Sequence, residues 1–208
     1  MKLLHITSAP VSYLGGTERV IWEISKRLAK KNEVTIIQTT LYEPKKKSGT
    51  AYKEGVKIIT CENDWFLGGY GYSSAFKKKL KQIWKYYDII HIHGYGRFTS
   101  DFALKFLRNK KPMIFTACGF FHSKKAAFFK KLHNLIKGKL LKNATYCIAL
   151  TELEEKQYIK RGVRRERIKI IPCGVYLKRF EAKPQIKLKQ KYSNGKKILL
   201  YVGRIHES

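Results

Sequence analysis

A short apolar strand, a loop ending in Gly15 and Gly16, and a helix follow one another in residues 5–28, HITSAPVSYLGGTERVIWEISKRL. Paired glycines between a buried strand and a helix let the backbone come close to a ligand. The first N–H groups of a helix lack partners within the helix and carry partial positive charge. This stretch therefore predicts an anion site, and phosphate is the obvious anion.

The helix that follows the glycines is predicted over about residues 17–30. Its apolar positions lie on one side of a 3.6-residue period: Val20, Ile21, Ile24 and Leu28. Glu18 falls in the first turn, where a negative side chain suits the helix dipole. A second interpretation stays open, because the chain has neither a complete GxGxxG nor a Walker loop after its first strand. In that interpretation the glycines only make a tight turn into a core helix.

Apolar strands and amphipathic helices alternate along most of the chain. Strands are predicted at 2–7 and in the runs EVTIIQTT, VKIIT, DIIHIHG, PMIFTACGF, TYCIAL and IKIIPCGV, and helices at 17–30, 73–87, 94–111, 124–142 and 151–162. The polar run 42–55 and the glycine- and aromatic-rich run 62–72 are predicted to be surface loops, the second exposed enough to touch a ligand. This alternation predicts an α/β fold, a Rossmann-like doubly wound parallel sheet with the glycine loop at its carboxyl edge.

The chain divides by composition into three parts. Residues 1–180 are predicted to form the Rossmann-like domain, and residues 181–195, which are rich in lysine, a basic linker. Residues 196–208 are predicted to be the first strand of a second domain. Since one strand cannot build a core, we interpret the chain as a piece of a larger protein.

The charge of the chain points to a polyanionic partner. Lys and Arg total 44 against 15 acidic residues, a formal net charge of +29. Nucleic acid and an anionic membrane surface are the two candidates. Four cysteines without a CxxC pair indicate neither a zinc ribbon nor a disulfide framework, and no apolar stretch reaches the ~18 residues of a membrane-spanning helix. We therefore expect a cytoplasmic protein.

A basic, apolar segment at 123–143 favours the membrane. It contains lysines and no acidic residue, and at ~100° per residue its large apolar side chains fall in one arc. We expect this helix to lie in a membrane interface through six residues: Phe128, Phe129, Lys130, Lys131, Leu132 and Lys137. The alternative is an ordinary helix that packs on the sheet and exposes a lysine face.

Six segments in order give the chain a resemblance to a known family: GGTERVIWEISKRLAKKNEVTII, DIIHIHGYG, KPMIFTACGF, NATYCIALTELEEKQYI, RIKIIPCGVYLKRF and ILLYVGRIHES. Together they resemble the amino-terminal half of the retaining GT-B glycosyltransferases of glycosyltransferase family 4. The resemblance implies two Rossmann-like domains facing a cleft. The carboxyl-terminal domain would hold a nucleotide-diphosphate sugar, and the amino-terminal domain would hold the acceptor. The resemblance implies no metal and no cofactor besides this donor.

The resemblance also implies roles for individual residues. Gly16 matches the glycine whose N–H contacts the donor diphosphate, and Gly15 matches its neighbour, which opens the turn. Arg204 matches the arginine that clamps the diphosphate from the second domain. Cys118 stands where the family commonly has a catalytic histidine, so His122 or His93 could supply that role.

Two histidines occupy alternate positions of the strand DIIHIHG. We expect one of His91 and His93 to face the core and the other, His93, to face the cleft. As a metal pair they lack further ligands nearby in the sequence, so no metal site is predicted.

Three functions remain open at this point. The first is a hexosyltransferase that acts with retention on a lipid-linked or envelope-glycan acceptor, peripheral on the inner face of the cell membrane and inactive as this fragment. The second is a GT-B type nucleotide-sugar epimerase. The third is a basic nucleic-acid-binding module, which is disfavoured because the charge is scattered and no RRM, KH or helix-turn-helix signature appears.

Overall fold

A computed structural model describes most of the 208 residues: 1–13, 15–43, 47–67, 70–120, 137–177, 181, 191–193 and 197–202. The chain forms two compact units, Met1–Pro172 and Cys173–Ser208. The first unit contains all the strands and helices named below.

The first unit is built on an eight-stranded sheet. Its strands are β1 Lys2–Ile6, β2 Glu33–Thr39, β3 Gly49–Lys53, β4 Val56–Cys61, β7 Ile89–His93, β8 Met113–Thr116, β9 Tyr146–Ala149 and β10 Ile168–Ile170, in the order β10-β9-β8-β7-β1-β2-β4-β3. Neighbouring strands are parallel except for β3, which is antiparallel to β4. Strands β5 Trp65–Leu67 and β6 Tyr70–Tyr72 form a separate antiparallel hairpin.

Among the described residues, four α-helices connect or follow the strands of the first unit. They are α1 Gly16–Leu28, α2 Ser74–Ile83, α3 Phe98–Phe106 and α4 Glu152–Lys160. Short 3₁₀ segments occupy Trp84–Tyr86, Gly138–Asn143 and Arg165–Arg167. None of the described helices is both long enough and apolar enough to cross a lipid bilayer.

The helices cover the two faces of the sheet unequally. On one face Ile21 of α1 packs with Val34, Ile36 and Val56. On the other face α2, α3 and α4 contribute to a larger core, whose fully buried members include Leu4, Ile6, Phe76, Leu80, Ile90, Ile92, Leu104, Phe115 and Tyr158. Burial on both faces explains the continuous apolar runs of the central strands.

The order of the strands reverses between β1 and β7. From β1 the chain proceeds through β2 to β4 on one side, and from β7 through β8 and β9 to β10 on the other. In open α/β sheets, ligands bind outside the carboxyl ends of the strands at such a switch point. The predicted α/β, doubly wound, mostly parallel sheet is confirmed, and the loop that follows β1 lies at this point.

Two predicted loops contain strands. The run 42–55 includes the edge strand β3, and the run 62–72 includes the β5–β6 hairpin. All five residues of β3 are exposed, so it has no apolar alternation from which a strand could be predicted. The hairpin was missed because its glycines indicate a turn more strongly than its three-residue strands indicate a sheet.

The predictions for the basic helix and the second domain fall largely outside the described residues. Of the helix predicted at 124–142, the described end at Gly138–Asn143 is a 3₁₀ segment. Of the strand predicted at 196–208, residues 197–202 are exposed and pair with no described strand. A strand needs a neighbour that accepts its hydrogen bonds, and the described part of the second unit supplies none.

Candidate functional site

The glycine loop lies at the carboxyl end of β1. Gly15 is the N-cap of α1, with extended backbone angles (φ −119°, ψ 155°), and its carbonyl accepts the first helical hydrogen bond, from the Arg19 N–H at 3.1 Å. No side chain caps the helix among the described residues. Helix α1 therefore begins without a side-chain cap, and its first backbone N–H groups are available to a ligand.

The first turn of α1 presents open donors. No described residue accepts a hydrogen bond from the N–H groups of Gly16, Thr17 or Glu18. Gly16 is exposed, and a Cβ built on it would meet nothing within 4 Å. Helix N–H groups and the helix dipole together favour an anion at such a place. The loop is neither filled by side chains at Gly16 nor turned to the amino edge of the sheet.

One carboxylate lies beside the loop. A Cβ on Gly15 would collide with the Glu18 carboxylate, and it would lie 3.5 Å from the Tyr13 ring. Glu18 stabilises the first helical turn when no ligand is present. Since it is the end of a flexible side chain, it can turn aside for an incoming anion.

Several turns at the carboxyl edge adopt the left-handed backbone conformation. Positive φ angles occur at Tyr42 (71°), Gly94 (88°), Gly96 (71°), Cys118 (54°) and Gly119 (108°). For a residue with a side chain this conformation costs on the order of 1–3 kcal/mol, and such strain clusters at functional sites. Of these five residues only Tyr42 after β2 and Cys118 after β8 have side chains, so strain of this kind lies in those two loops.

Two side chains of α4 form hydrogen bonds with the turn that contains Cys118. The Ala117 N–H donates to the Tyr158 hydroxyl at 2.8 Å, and the Gly119 N–H donates to the Glu154 carboxylate at 2.8 Å. Cys118 itself is partly exposed. The structure therefore places Cys118 in a fixed turn at the carboxyl edge, and its catalytic role stays a prediction.

His93 does not face a cleft. It is 2% exposed, and its Nε2 lies 3.0 Å from Nδ1 of His5, a residue of β1 that the sequence did not single out. The rings of His91 and His93 are 3.9 Å apart, so both project from the same face of the sheet. Our expectation of opposite faces was wrong, because residues i and i+2 of a strand point the same way. The geometry gives a catalytic role of His93 no support.

The three histidines have lowered basicity. Burial lowers the pKa of His5 to about 4. Burial, and then the neighbouring histidines, lower the pKa values of His91 and His93 well below 6.5. All three rings are therefore neutral at physiological pH.

The other predicted site residues are only partly covered by the structure. His122, Arg204 and five membrane-interface residues, Phe128, Phe129, Lys130, Lys131 and Leu132, lie outside the described residues. The sixth, Lys137, donates to the Tyr70 hydroxyl at 2.8 Å and lies 3.3 Å from the Asp101 carboxylate. Burial alone would lower the pKa of Lys137, but the hydrogen bond to Tyr70 and the charge of Asp101 raise it. Its role at a membrane stays a prediction.

A group of exposed aromatic rings borders the glycine loop. Tyr13 stacks on Tyr42 with ring centroids 5.1 Å apart, and Phe66 meets Tyr42 edge-on at 5.8 Å. The Arg97 guanidinium lies 5.9 Å from the centre of the Tyr42 ring. These rings come from the loops after β1 and β2 and from strand β5. Only the aromatic composition of 62–72 gave a signal for them in the sequence.

The fold and the glycine loop define a class of protein: a Rossmann-like α/β domain that presents a helix N-terminus at the switch point of its sheet. The family follows from the sequence. The model of Glycosyltransferase Family 4 matches residues 14–179, which is most of the chain. The chain belongs to that family, as the resemblance implied.

Solved structures with similar folds agree with this family. HepE from Anabaena, determined in complex with UDP, has a TM-score of 0.62 and 18% identity, over 92% of this chain and 50% of that one. Sucrose-phosphate synthase from Thermosynechococcus elongatus has a TM-score of 0.67 and 16% identity, over 91% and 52%. A putative UDP-N-acetylglucosamine 2-epimerase from Listeria monocytogenes has a TM-score of 0.51 and 14% identity, over 80% and 43%.

These similarities at low identity establish the fold. The chain spans about half the length of the structures it matches. A search of curated proteins found no match.

Proposed function

We propose that the chain is the acceptor-side half of a retaining sugar transferase, which moves a hexose from a nucleotide-diphosphate sugar to an acceptor hydroxyl. One observation carries this proposal: the open N–H groups of the first turn of α1, behind Gly15 and Gly16, at the switch point of the sheet. HepE, whose fold is similar, was determined with UDP. A diphosphate is the kind of anion that suits such a helix terminus.

Stabilisation of the leaving group would lower the barrier of this reaction. The bond between the sugar C1 and the diphosphate oxygen breaks, the acceptor oxygen forms the new bond to C1, and the acceptor proton passes to the departing diphosphate oxygen. Negative charge grows on the departing diphosphate. The Gly16 N–H and the dipole of α1 would stabilise that charge, and the family resemblance implies that Arg204 does so as well. Groups arranged in advance for charge that grows in the transition state lower the barrier.

The donor would be held mainly by a second domain, so we expect the chain alone to be inactive in transfer. The acceptor would lie against the loops after β1, β2 and β7. The exposed rings of Tyr13, Tyr42 and Phe66 offer faces there on which a sugar or an isoprenoid can pack.

A lipid-linked acceptor would bring the protein to the inner face of the cell membrane. The net charge of +29 supports attraction to anionic lipid. The hairpin exposes three consecutive apolar residues, Trp65, Phe66 and Leu67, which are 52%, 50% and 78% exposed. Tryptophan in particular favours the interface between membrane and water.

The anion site can be tested on the chain itself. We expect inorganic pyrophosphate to shift the amide NMR signals of Gly16 and Thr17 in a saturable way, and Gly16→Ala to weaken that binding. Saturable binding that leaves these two amides unmoved would place the anion elsewhere and remove the proposal. A transfer assay would use this chain joined to a donor-binding GT-B domain, with labelled UDP-glucose.

A nucleotide-sugar epimerase is the second candidate, favoured by the structural match to the putative 2-epimerase. The two reactions differ in their products. With labelled UDP-N-acetylglucosamine, an epimerase yields an altered sugar without an acceptor, whereas a transferase leaves the label on the acceptor.

A further inference from the structure

Three histidines meet in the interior of the first unit, where β1 and β7 lie side by side. His5 is paired with His91 in the register of these two strands, and His93 follows two residues later. The ring centroid of His5 lies 5.3 Å from the centroid of His91 and 5.3 Å from that of His93. Among the described residues, this is the one group of histidine, cysteine and acidic side chains with the spacing of a metal site.

Hydrogen bonding accounts for only part of this cluster. His5 Nδ1 and His93 Nε2 are 3.0 Å apart, and His91 Nε2 lies 2.8 Å from the Thr116 hydroxyl. The remaining ring nitrogens His5 Nε2 and His93 Nδ1 are buried and have no partner among the described residues. These two atoms cost about 1–3 kcal/mol each and stay unpaired whether or not an ion binds at His5 Nδ1 and His93 Nε2, so it is the spacing of the other ring nitrogens that indicates a metal site.

The geometry points to a binding site for one divalent transition-metal ion of the zinc, cobalt or nickel type, ligated by His5, His91 and His93. One nitrogen from each ring lies within 4.8 Å of the other two. Metal–nitrogen bonds of 2.0–2.1 Å in a tetrahedral site put the ligand nitrogens about 3.3 Å apart. His5 Nδ1 and His93 Nε2, 3.0 Å apart, are close to this spacing.

The chemistry of the ligands suits these metals. Neutral imidazole binds zinc, copper, nickel and cobalt, whereas magnesium and calcium prefer oxygen. The Thr116 hydroxyl at the other nitrogen of His91 is the kind of outer partner that orients a metal-bound histidine. Three protein ligands leave a fourth position for water. His91 is the most exposed of the three ligands.

The ion would link β1 and β7, the two neighbouring strands between which the strand order reverses. His5 belongs to β1, which leads into the glycine loop, and the other two ligands belong to β7. The ion would therefore stabilise the base of the anion site without taking part in sugar transfer. This inference does not depend on the proposed reaction.

The test measures metal binding on the purified chain after treatment with a chelator. We expect one equivalent of Zn²⁺ to remain bound after gel filtration, and Co²⁺ to give the strong visible absorption of a four-coordinate site. We also expect Zn²⁺ to raise the unfolding temperature by about 5 °C or more.

The chain offers a matched control, because its six histidines fall into two groups of three. His122, His133 and His206 lie outside the described residues, and replacing all three with Asn should leave binding at one equivalent. His91→Asn and His5→Asn should each abolish it, with circular dichroism confirming that the variants fold. If His5→Asn does not fold, the partly exposed His91 carries the test. Binding that is absent in the parent chain, or lost in the triple control, overturns the proposal.

Discussion

The Glu154 carboxylate accepts a hydrogen bond from the Gly119 N–H at 2.8 Å, across 35 residues of sequence. Its second oxygen accepts from the Leu150 N–H, also at 2.8 Å. One buried side chain thus joins the turns that follow β8 and β9, and it holds the turn in which Cys118 has a positive φ angle.

Glu154→Gln should destabilise the first unit by about 2 kcal/mol. The amide keeps one accepting oxygen but turns an NH₂ group toward the other backbone N–H, so one buried donor loses its acceptor. Urea unfolding followed by circular dichroism measures the change. Glu152→Gln, in the exposed first turn of the same helix, is the control and should cost less than about 0.5 kcal/mol. Equal effects at both positions would contradict this account of Glu154.

Gly16→Ala should weaken anion binding and leave the stability of the fold nearly unchanged. A Cβ at Gly16 meets nothing within 4 Å, so the free energy of unfolding should stay within about 1 kcal/mol of the parent chain. The same methyl group stands where a diphosphate must approach, and pyrophosphate binding should weaken about tenfold, or ~1.4 kcal/mol. Calorimetric titration measures the affinity.

Gly49→Ala is the matched control for Gly16→Ala. A Cβ there also meets nothing within 4 Å, but Gly49 lies on β3, three strands away from β1. Its pyrophosphate affinity should equal that of the parent chain. A tenfold loss in this variant as well would mean that the anion does not bind at the glycine loop.

Glu18→Gln should strengthen pyrophosphate binding about two- to fivefold. The Glu18 carboxylate lies beside Gly15 and repels an anion that approaches the first turn of α1. The gain should shrink at high salt, because screening weakens the repulsion. Calorimetric titration at low and high ionic strength checks both points, and weaker binding at low salt would contradict them.

Mild acid should destabilise the metal-free chain through its buried histidines. Above pH 6.5 His5 is neutral in both the folded and the unfolded state, so it adds no pH dependence. Below pH 6.5 the unfolded chain takes up a proton that folded His5, with a pKa of about 4, does not. Stability therefore falls as the pH drops, by about 1.4 kcal/mol from this residue alone between pH 7.5 and 5.5.

The readout is the free energy of unfolding in urea at pH 7.5 and 5.5, with a chelator present. Between pH 7.5 and 5.5, the free energy of unfolding of His5→Asn should fall by about 1.4 kcal/mol less than that of the parent chain. An identical pH dependence in the variant would show that His5 is not the group that titrates.

The chain should co-sediment with vesicles that contain anionic lipid and not with neutral ones. Trp65→Ser with Phe66→Ser should weaken this binding severalfold, because both side chains are about half exposed on the hairpin. Tyr146→Ser is the control, since Tyr146 is 48% exposed but begins β9 at the amino edge of the sheet. Equal binding to neutral vesicles would remove the membrane proposal. A steep salt-dependent shift with RNA would favour the nucleic-acid alternative instead.

The sequence predicts the buried parts of this fold well, for a physical reason. Strands such as β1, β2 and β7 are covered on both faces and read as apolar runs, and the glycine pair marks the turn between β1 and α1. Strand β3 carries no such pattern, because all five of its residues are exposed. Local patterns therefore predict elements that are buried and miss elements that are not.

The histidine cluster could not be predicted in the same way. His5 and His91 meet only because β1 and β7 pair in one register, across 86 residues. Register depends on the whole sheet, and local sequence does not specify it. The same holds for the rings of Tyr13, Tyr42 and Phe66, which come together from two loops and strand β5.

The edge strand β3 has a consequence for how the chain behaves in concentrated solution. Its outer row of backbone N–H and C=O groups pairs with no described strand, and such a row can recruit a strand from another molecule. Lys53 ends this strand, with its amine 5.4 Å from the centre of the Trp22 ring, and a lysine at an edge opposes that recruitment. The positive charge of Lys53 therefore opposes aggregation through the exposed edge of β3.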